Sequence, residues 1–339
     1  MKVLRLAWSG YQEENSLARE AEAFERLGVD YHRPEQAGET SAHLREFRTI
    51  IINSKFTVDE DFLAELQPGS LIITASSGYD HIDLEACSDH RINVARTPLA
   101  RARRVAEHTE MFARALLRSL PGSCYSLRRG NWKRNQTADR VRSPGEERAG
   151  IIGYGVIGRK SAQRFLDIFS APLLVSDPLH QKKIEQHPRL KYCELQEIVE
   201  EATLLTIHAD LNDSTHGLFT ERVFQKMPAD ALLINTARGE MIRLPDLARA
   251  LEKNEISGAA LDVFPQEPPG EDSKYLDKEN LLVTPHSAGF GPGLLEELRE
   301  ELICTVDNFM AGESLPYKAE PYSKKQSQKL NLQVEKLQK

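Results

Sequence analysis

The sequence predicts an α/β protein built on parallel sheets, in two domains. Short apolar or β-branched runs alternate with longer amphipathic stretches along the chain. Most of the runs are continuously apolar, the pattern of strands covered on both faces. They fall into two series, parted by a strand-free stretch between Ala95 and Ala149. At roughly 150 residues per domain, 339 residues also divide into about two.

The first series reads Lys2–Ala7, Thr49–Ile52, Ser70–Thr74 and Ile92–Ala95. The segments between these runs suit crossover helices. An amphipathic helix is expected over Arg103–Leu120, ended by Pro121-Gly122. Ala106, Thr109, Ala113, Leu116, Leu117 and Leu120 give it an apolar face beyond what one domain need cover, so a homodimer is expected. The basic segment Arg128–Arg148 leads into the second series: Ala149–Ile152, Pro172–Ser176, Leu204–His208, Ala231–Thr236, Gly258–Asp262 and Leu281–Thr284. The tail from Lys318 is rich in Lys, Gln and Ser and reads as solvated. Leu330, Leu332, Val334 and Leu337 offer it only a weak helix face.

Composition excludes several classes. Hydrophobic residues make up 40% of the chain and charged residues 28%, which excludes global disorder, and 20 Gly exclude collagen. No apolar run approaches the ~18 residues that span a bilayer. Arg5 interrupts the first apolar stretch, so no signal-peptide core is expected. A net charge of -7 argues against nucleic acid as the main partner. The charge is uneven: Arg91–Arg148 holds 14 Lys/Arg against 5 Asp/Glu. Cys87, Cys124, Cys193 and Cys304 lie far apart, with no spacing that suggests a metal site or a disulfide framework. A cytoplasmic protein with reduced thiols and no metal is expected.

Residues 153–158 read Gly-Tyr-Gly-Val-Ile-Gly. Alone, such a run is a weak signal. Here the strand Ala149–Ile152 precedes it, and a helix follows with Gly158, Ala162, Phe165, Leu166 and Phe169 on one face. Gly153 makes the tight turn, Gly155 lets the backbone approach a pyrophosphate, and Gly158 lets helix and strand pack closely. The helix N-terminus supplies N–H groups for phosphate. Asp177 follows Gly158 by 19 positions, at the end of the next strand. A carboxylate there accepts from both ribose hydroxyls of NAD and repels the 2′-phosphate of NADP. Lys182 and Lys183 lie nearby, so NAD is favoured without excluding NADP.

Three more loops follow strands of the second series, where open parallel sheets bind ligands. They carry Arg238 in Thr-Ala-Arg-Gly, Glu267 in Asp-Val-Phe-Pro-Gln-Glu-Pro-Pro, and His286 in Thr-Pro-His-Ser-Ala-Gly. Arg offers a donor fork matched to a carboxylate. His exchanges a proton near neutral pH. A carboxylate on its far ring nitrogen fixes the tautomer and favours imidazolium. Taken singly, each residue reads more readily as a surface ion pair, an exposed Glu or a loop His.

Together these stretches resemble the D-isomer-specific 2-hydroxyacid dehydrogenases. The resemblance runs from about Ser70 to Pro316. It also rests on Ser-Ser-Gly-Tyr-Asp-His-Ile-Asp (76–83), Val-Ala-Glu-His (105–108), Leu-Ile-Asn-Thr-Ala-Arg-Gly (233–239) and Ala-Ala-Leu-Asp-Val-Phe (259–264). It implies a flavodoxin-like substrate-binding domain of residues 1–97 plus 290–339, with an NAD-binding Rossmann domain, 98–289, inserted, and an active-site cleft between them. It implies Arg238 as substrate-carboxylate binder, His286 as acid/base and Glu267 as its partner. Ser77 and Gly78 would offer backbone amides to the substrate carboxylate. Tyr154, Val156, Ile157, Asp177, His208, Thr236, Ala237, Asp262, His286, Ala288 and Gly289 fall where the family meets cofactor, and Asp262 would accept from the nicotinamide carboxamide.

The chain departs from the family pattern in three places. Asp210 stands where proline is usual. Ser143–Arg148 replaces the usual Leu-x-Gly-Lys lead-in. The stretch Arg96–Arg104 is arginine-rich, where Arg96, Arg101, Arg103 and Arg104 would read a second negative group on the substrate or, the favoured reading, form a solvated or dimer-contacting face. The expected function is hydride transfer between NAD(H) and a small 2-oxo or D-2-hydroxy acid. A dinucleotide-sensing, corepressor-like protein of the same fold is the alternative, and oxidation of formate or phosphite is a third reading without distinctive sequence support.

Overall fold

The computed structural model describes residues 1–6, 14–34, 44–138 and 140–338. Ala7, the end of the first expected strand, lies outside them. In chain order the strands are β1 (Lys2–Arg5), β2 (Asp30–His32), β3 (Thr49–Ile52), β4 (Leu71–Thr74), β5 (Asn93–Arg96), β6 (Ala149–Ile152), β7 (Leu173–Ser176), β8 (Leu190–Tyr192), β9 (Leu204–Ile207), β10 (Leu232–Asn235), β11 (Gly258–Leu261), β12 (Leu281–Val283) and β13 (Lys318–Ala319).

The chain forms two compact units. The first comprises Met1–Arg101 and Gly291–Tyr322. Its six-stranded sheet runs β13-β5-β4-β3-β1-β2, parallel except where β13 pairs antiparallel with β5. Without β13 this is the flavodoxin-like order. β3 and β4 are buried at every position, which is why their sequences are apolar throughout. The helix Leu294–Ala311 covers one face, burying Leu294, Leu298, Leu302 and Val306 at four-residue spacing beside Val3, Ile51 and Ile73.

The second unit comprises Ala102–Phe290 and Ser323–Lys339. Its seven strands are all parallel, in the order β12-β11-β10-β9-β6-β7-β8. The chain builds outward from β6 to β7 and β8, then returns to β9 on the other side of β6. Strand order therefore reverses between β6 and β9, the point where such sheets bind nucleotides beyond their carboxyl ends.

Ten strands lie where the sequence predicts them, within a residue or two at the ends. The unexpected strands β2, β8 and β13 are two or three residues long and carry mixed burial, too short for a periodic signal. The long helix differs more. It spans Leu99–Leu117, and a second helix runs Leu120–Arg128. Ser119, with φ 51°, makes the break, and Pro121 sits in the first turn of the second helix, where its missing N–H costs nothing. Proline here starts a helix rather than ending one.

The apolar face expected to build a dimer is covered within its own unit at every position but Leu120, which is exposed. Ala106, Thr109, Ala113, Leu116 and Leu117 are buried, and Ala113, Leu116 and Leu117 join Ile151, Leu232 and Ile234 in the core of their own unit. The tail also departs from expectation. Lys324–Gln338 is a helix packed on the helices Leu195–Glu201 and Glu221–Lys226. Leu337 is fully buried in the core of the second unit, and Lys226 Nζ donates to its carbonyl at 2.6 Å. The end of the chain thus belongs with the nucleotide-fingerprint unit, because Leu337 and Val334 find an apolar groove there.

Candidate active site

At the carboxyl end of β6 the backbone turns through Gly153, whose φ is 91°. A side chain there would lie 2.6 Å from the carbonyl carbon of His208. A Cβ on Gly158 would lie 2.1 Å from the Gly153 carbonyl oxygen, so helix Val156–Ile168 packs against the turn only because that residue is glycine. Gly155 caps the helix, and a Cβ there would enter open space. Helix N–H groups behind an open, side-chain-free approach fit a dinucleotide pyrophosphate. Tyr154, Val156 and Ile157 lie in this turn and the first turn of the helix. His208, at the end of β9, is pushed down to about 3 by desolvation, so a neutral ring borders the turn.

Asp177 follows β7. Its Oδ2 accepts from the Tyr154 N–H at 2.7 Å, tying the end of β7 to the glycine turn. Its pKa is set by opposing effects. Burial raises it; the His180 hydrogen bond and charge and the N–H groups of Tyr154 and Leu179 lower it more, so it lies below the usual carboxylate value.

The loops after β10, β11 and β12 form the second part of the site. Buried Asn235 organises the first: its Oδ1 accepts from the Ala237 N–H at 3.0 Å and its Nδ2 donates to the Arg238 carbonyl at 2.8 Å. Thr236 is buried, with its hydroxyl 3.1 Å from that of Thr109. Gly239 has its Cβ direction filled by the backbone of Phe264, 2.0 Å away. That contact locks the Arg238 loop onto the Glu267 loop.

Glu267 Oε1 accepts from the Phe264 N–H at 3.1 Å, and Oε2 lies 2.6 Å from His286 Nδ1. Burial raises the Glu267 pKa, but His286, the Phe264 N–H and the Arg238 charge outweigh it, and the carboxyl falls below its usual value. The arrangement keeps a carboxylate on Nδ1 and leaves Nε2 for proton exchange. His286 itself has φ 49°, a left-handed backbone that a non-glycine residue adopts only under constraint. Asp262 imposes it. Its carbonyl accepts from the His286 N–H at 2.7 Å, and its carboxylate accepts from the Ser287 and Ala288 N–H groups at 2.9 Å and from the Thr284 hydroxyl at 2.5 Å. Asp262, expected to meet the nicotinamide amide, is 1% exposed and is first of all the organiser of the turn that presents His286 and continues into Gly289. His108 Nε2 lies 3.0 Å from Thr284 Oγ1. Burial lowers its pKa against the pull of Asp262, so a neutral ring donates to Thr284, which donates to Asp262.

The structure therefore brings Arg238, Glu267 and His286 to one end of one sheet. Ser77 and Gly78 belong to the other unit, in the loop after β4. Ser76 Oγ donates to the Gly78 carbonyl at 2.7 Å, and Arg96 donates to the Ser77 carbonyl at 3.0 Å while lying 5.1 Å over the Tyr79 ring. Planar trans peptides then turn the N–H groups of Gly78 and Tyr79 the opposite way. Arg96 thus braces the loop, and Arg103 pairs with Glu107 at 3.2 Å. Asn235, Gly239, Thr284 and His108 were not singled out as site residues from the sequence. The adjacency of Asn235 and Gly239 to Arg238 was the available signal.

Residues 111–288 match the family model for the NAD-binding domain of D-isomer specific 2-hydroxyacid dehydrogenases. A glyoxylate/hydroxypyruvate reductase B from Escherichia coli is 30% identical over 261 residues, 77% of this chain and 80% of that protein. A D-lactate dehydrogenase from Aquifex aeolicus, solved with NAD and lactic acid, is 25% identical with a TM-score of 0.76, covering 92% of this chain and 96% of that one. An NAD-dependent formate dehydrogenase from Staphylococcus aureus, solved with NAD, is 25% identical with a TM-score of 0.76, covering 95% and 100%.

Proposed function

The chain belongs to the D-isomer specific 2-hydroxyacid dehydrogenases, and on that premise we propose that Arg238, Glu267 and His286 carry out NAD-linked hydride transfer between a small 2-oxo acid and its D-2-hydroxy acid. The observation that carries this assignment is the 2.6 Å contact between Glu267 and His286, on the sheet that also holds the glycine turn. Gly153–Gly158 and Asp177 would hold NAD(H), which would supply or accept the hydride. Arg238 grips the substrate carboxylate through its planar donor fork. In reduction His286 delivers the Nε2 proton to the carbonyl oxygen, and in oxidation it takes that proton from the hydroxyl. Glu267 stays ionised, so the imidazolium formed during oxidation faces a negative partner.

The E. coli relative acts by its name on glyoxylate and hydroxypyruvate, and acids of that size are the proposed substrates here. A panel of glyoxylate, hydroxypyruvate, pyruvate, oxaloacetate and 2-oxoglutarate with NADH tests this directly. Turnover on at least one is expected. Tight NADH binding with no turnover on any would replace the enzyme with the sensing protein.

The working form is proposed to be a homodimer, through apolar surface other than the buried helix face. Met111, Leu120, Leu127 and Trp132 are exposed, Trp132 at 78%. A monomeric mass by light scattering at micromolar concentration would reject it. Among the described residues no helix is long and apolar enough to cross a membrane. Free Cys87, Cys124, Cys193 and Cys304 fit a cytoplasmic, reducing setting.

A further inference from the structure

The Asp177 carboxylate is fully engaged by the protein itself. Oδ1 accepts from the N–H groups of Leu179 at 2.9 Å and His180 at 3.2 Å. Oδ2 accepts from the Tyr154 N–H at 2.7 Å and lies 2.9 Å from His180 Nδ1. A carboxylate has about four lone-pair sites, and four donors occupy them. A ribose hydroxyl that donates to this carboxylate must displace one of them. Three of the four donors are backbone N–H groups fixed by the turn. The fourth, the His180 imidazole, is a side chain 29% exposed, and it alone can swing away. The loop itself is held from behind: Lys329, on the C-terminal helix, donates to the Pro178 carbonyl at 2.7 Å and to Gln181 at 3.4 Å.

We propose that His180 is a specificity-determining residue of the cofactor site, competing with the ribose diol of NAD for Asp177. This rests on the NAD reading of Asp177 above. The bond is charge-assisted, because Asp177 is held below the usual carboxylate value and stays ionised, so the imidazole is a strong rival for the oxygen. Removing the imidazole should strengthen NAD(H), whose 2′-hydroxyl can donate to the freed lone pair, more than NADP(H), whose 2′-phosphate cannot. His187, beyond the helix Gln181–Glu185, accepts from the Arg189 N–H rather than reaching Asp177.

The test is direct binding of NADH and NADPH to the full chain at one neutral pH, followed by nucleotide fluorescence. Wild type is compared with His180→Ala and His180→Gln, with thermal melts as a check on folding. His180→Ala should bind NADH about tenfold more tightly than wild type, the span of one hydrogen bond to a charged group, with a smaller gain for NADPH. His180→Gln, which keeps a donor, should stay within about twofold of wild type. An NADH Kd unchanged in His180→Ala, or an equal gain for NADPH, overturns the role of His180 and leaves the NAD reading standing. Wild-type protein that binds NADPH but not NADH overturns the NAD reading itself, and the proposal with it.

Discussion

The two ends of the second sheet are built by opposite means. Beyond β6 and β7 the site consists of missing side chains and backbone donors: Gly158 has no room for a Cβ, Gly155 has open space where a Cβ would stand, and Asp177 is tied to the turn through the Tyr154 N–H. Beyond β10, β11 and β12 it consists of charged side chains on three separate loops, brought together by register. Asn235 fixes the first loop from within, and Gly239 and Asp262 do the aligning, through a contact and bonds that cross from loop to loop. On the proposed assignment, nucleotide recognition needs one strand–turn–helix and the next strand end, and proton transfer needs three neighbouring strand ends to finish at the same level.

The sharpest way to break that division is to remove the acid. His286→Ala should slow single-turnover hydride transfer about 10²–10⁴-fold, the range of a positioned acid/base, while the Kd for NADH stays as in wild type. A parallel loss of NADH binding would mean that the two ends are one site. A smaller effect comes from Glu267→Gln. Because the Glu267 pKa is lowered in the folded chain, its contact with His286 persists at neutral pH and fades only as pH falls through that lowered value. The variant loses the charge at every pH. Single-turnover rates in both directions should then fall about tenfold at neutral pH, the span of one charge-assisted hydrogen bond to the acid/base. Arg238→Ala is the control: it should weaken the substrate, so that its loss is largest below saturation. Unchanged rates at saturating substrate in Glu267→Gln would remove Glu267 from the proton relay.

The smallest effects separate two glycines of the nucleotide end. Gly153→Ala meets both a positive φ and backbone at 2.6 Å, so it should cost more than about 1 kcal/mol of stability in denaturant melts. Gly155→Ala should cost less than about 1 kcal/mol, the range of a helix-cap change, yet weaken NADH because its Cβ enters the approach to the helix. Equal losses of stability in the two variants would show that the open space at Gly155 is not reserved for ligand.

The nucleotide end was legible because its parts are local. A glycine turn, its flanking strand and helix, and Asp177 lie within one short stretch, and the positive φ of Gly153 and the close approach of Gly158 to Gly153 act between near neighbours. The catalytic trio was legible as residue types at strand ends, but the sequence left each with a plain surface reading. The His180 contact was not read, although it lies three residues from Asp177, because a side chain's choice of partner depends on how the turn is held.

By itself the sequence determined the class of fold, ten strands, the fingerprint and the candidate trio, since continuous apolar runs and glycine turns express local demands. Only the tertiary structure decided where surplus apolar surface goes. The helix face carrying Ala113, Leu116 and Leu117 looks unpartnered in one dimension and is covered by the strands beside it. The tail carrying Leu337 looks solvated and fills a groove of the second unit. Burial is a property of pairs of surfaces, and a sequence displays only one surface at a time.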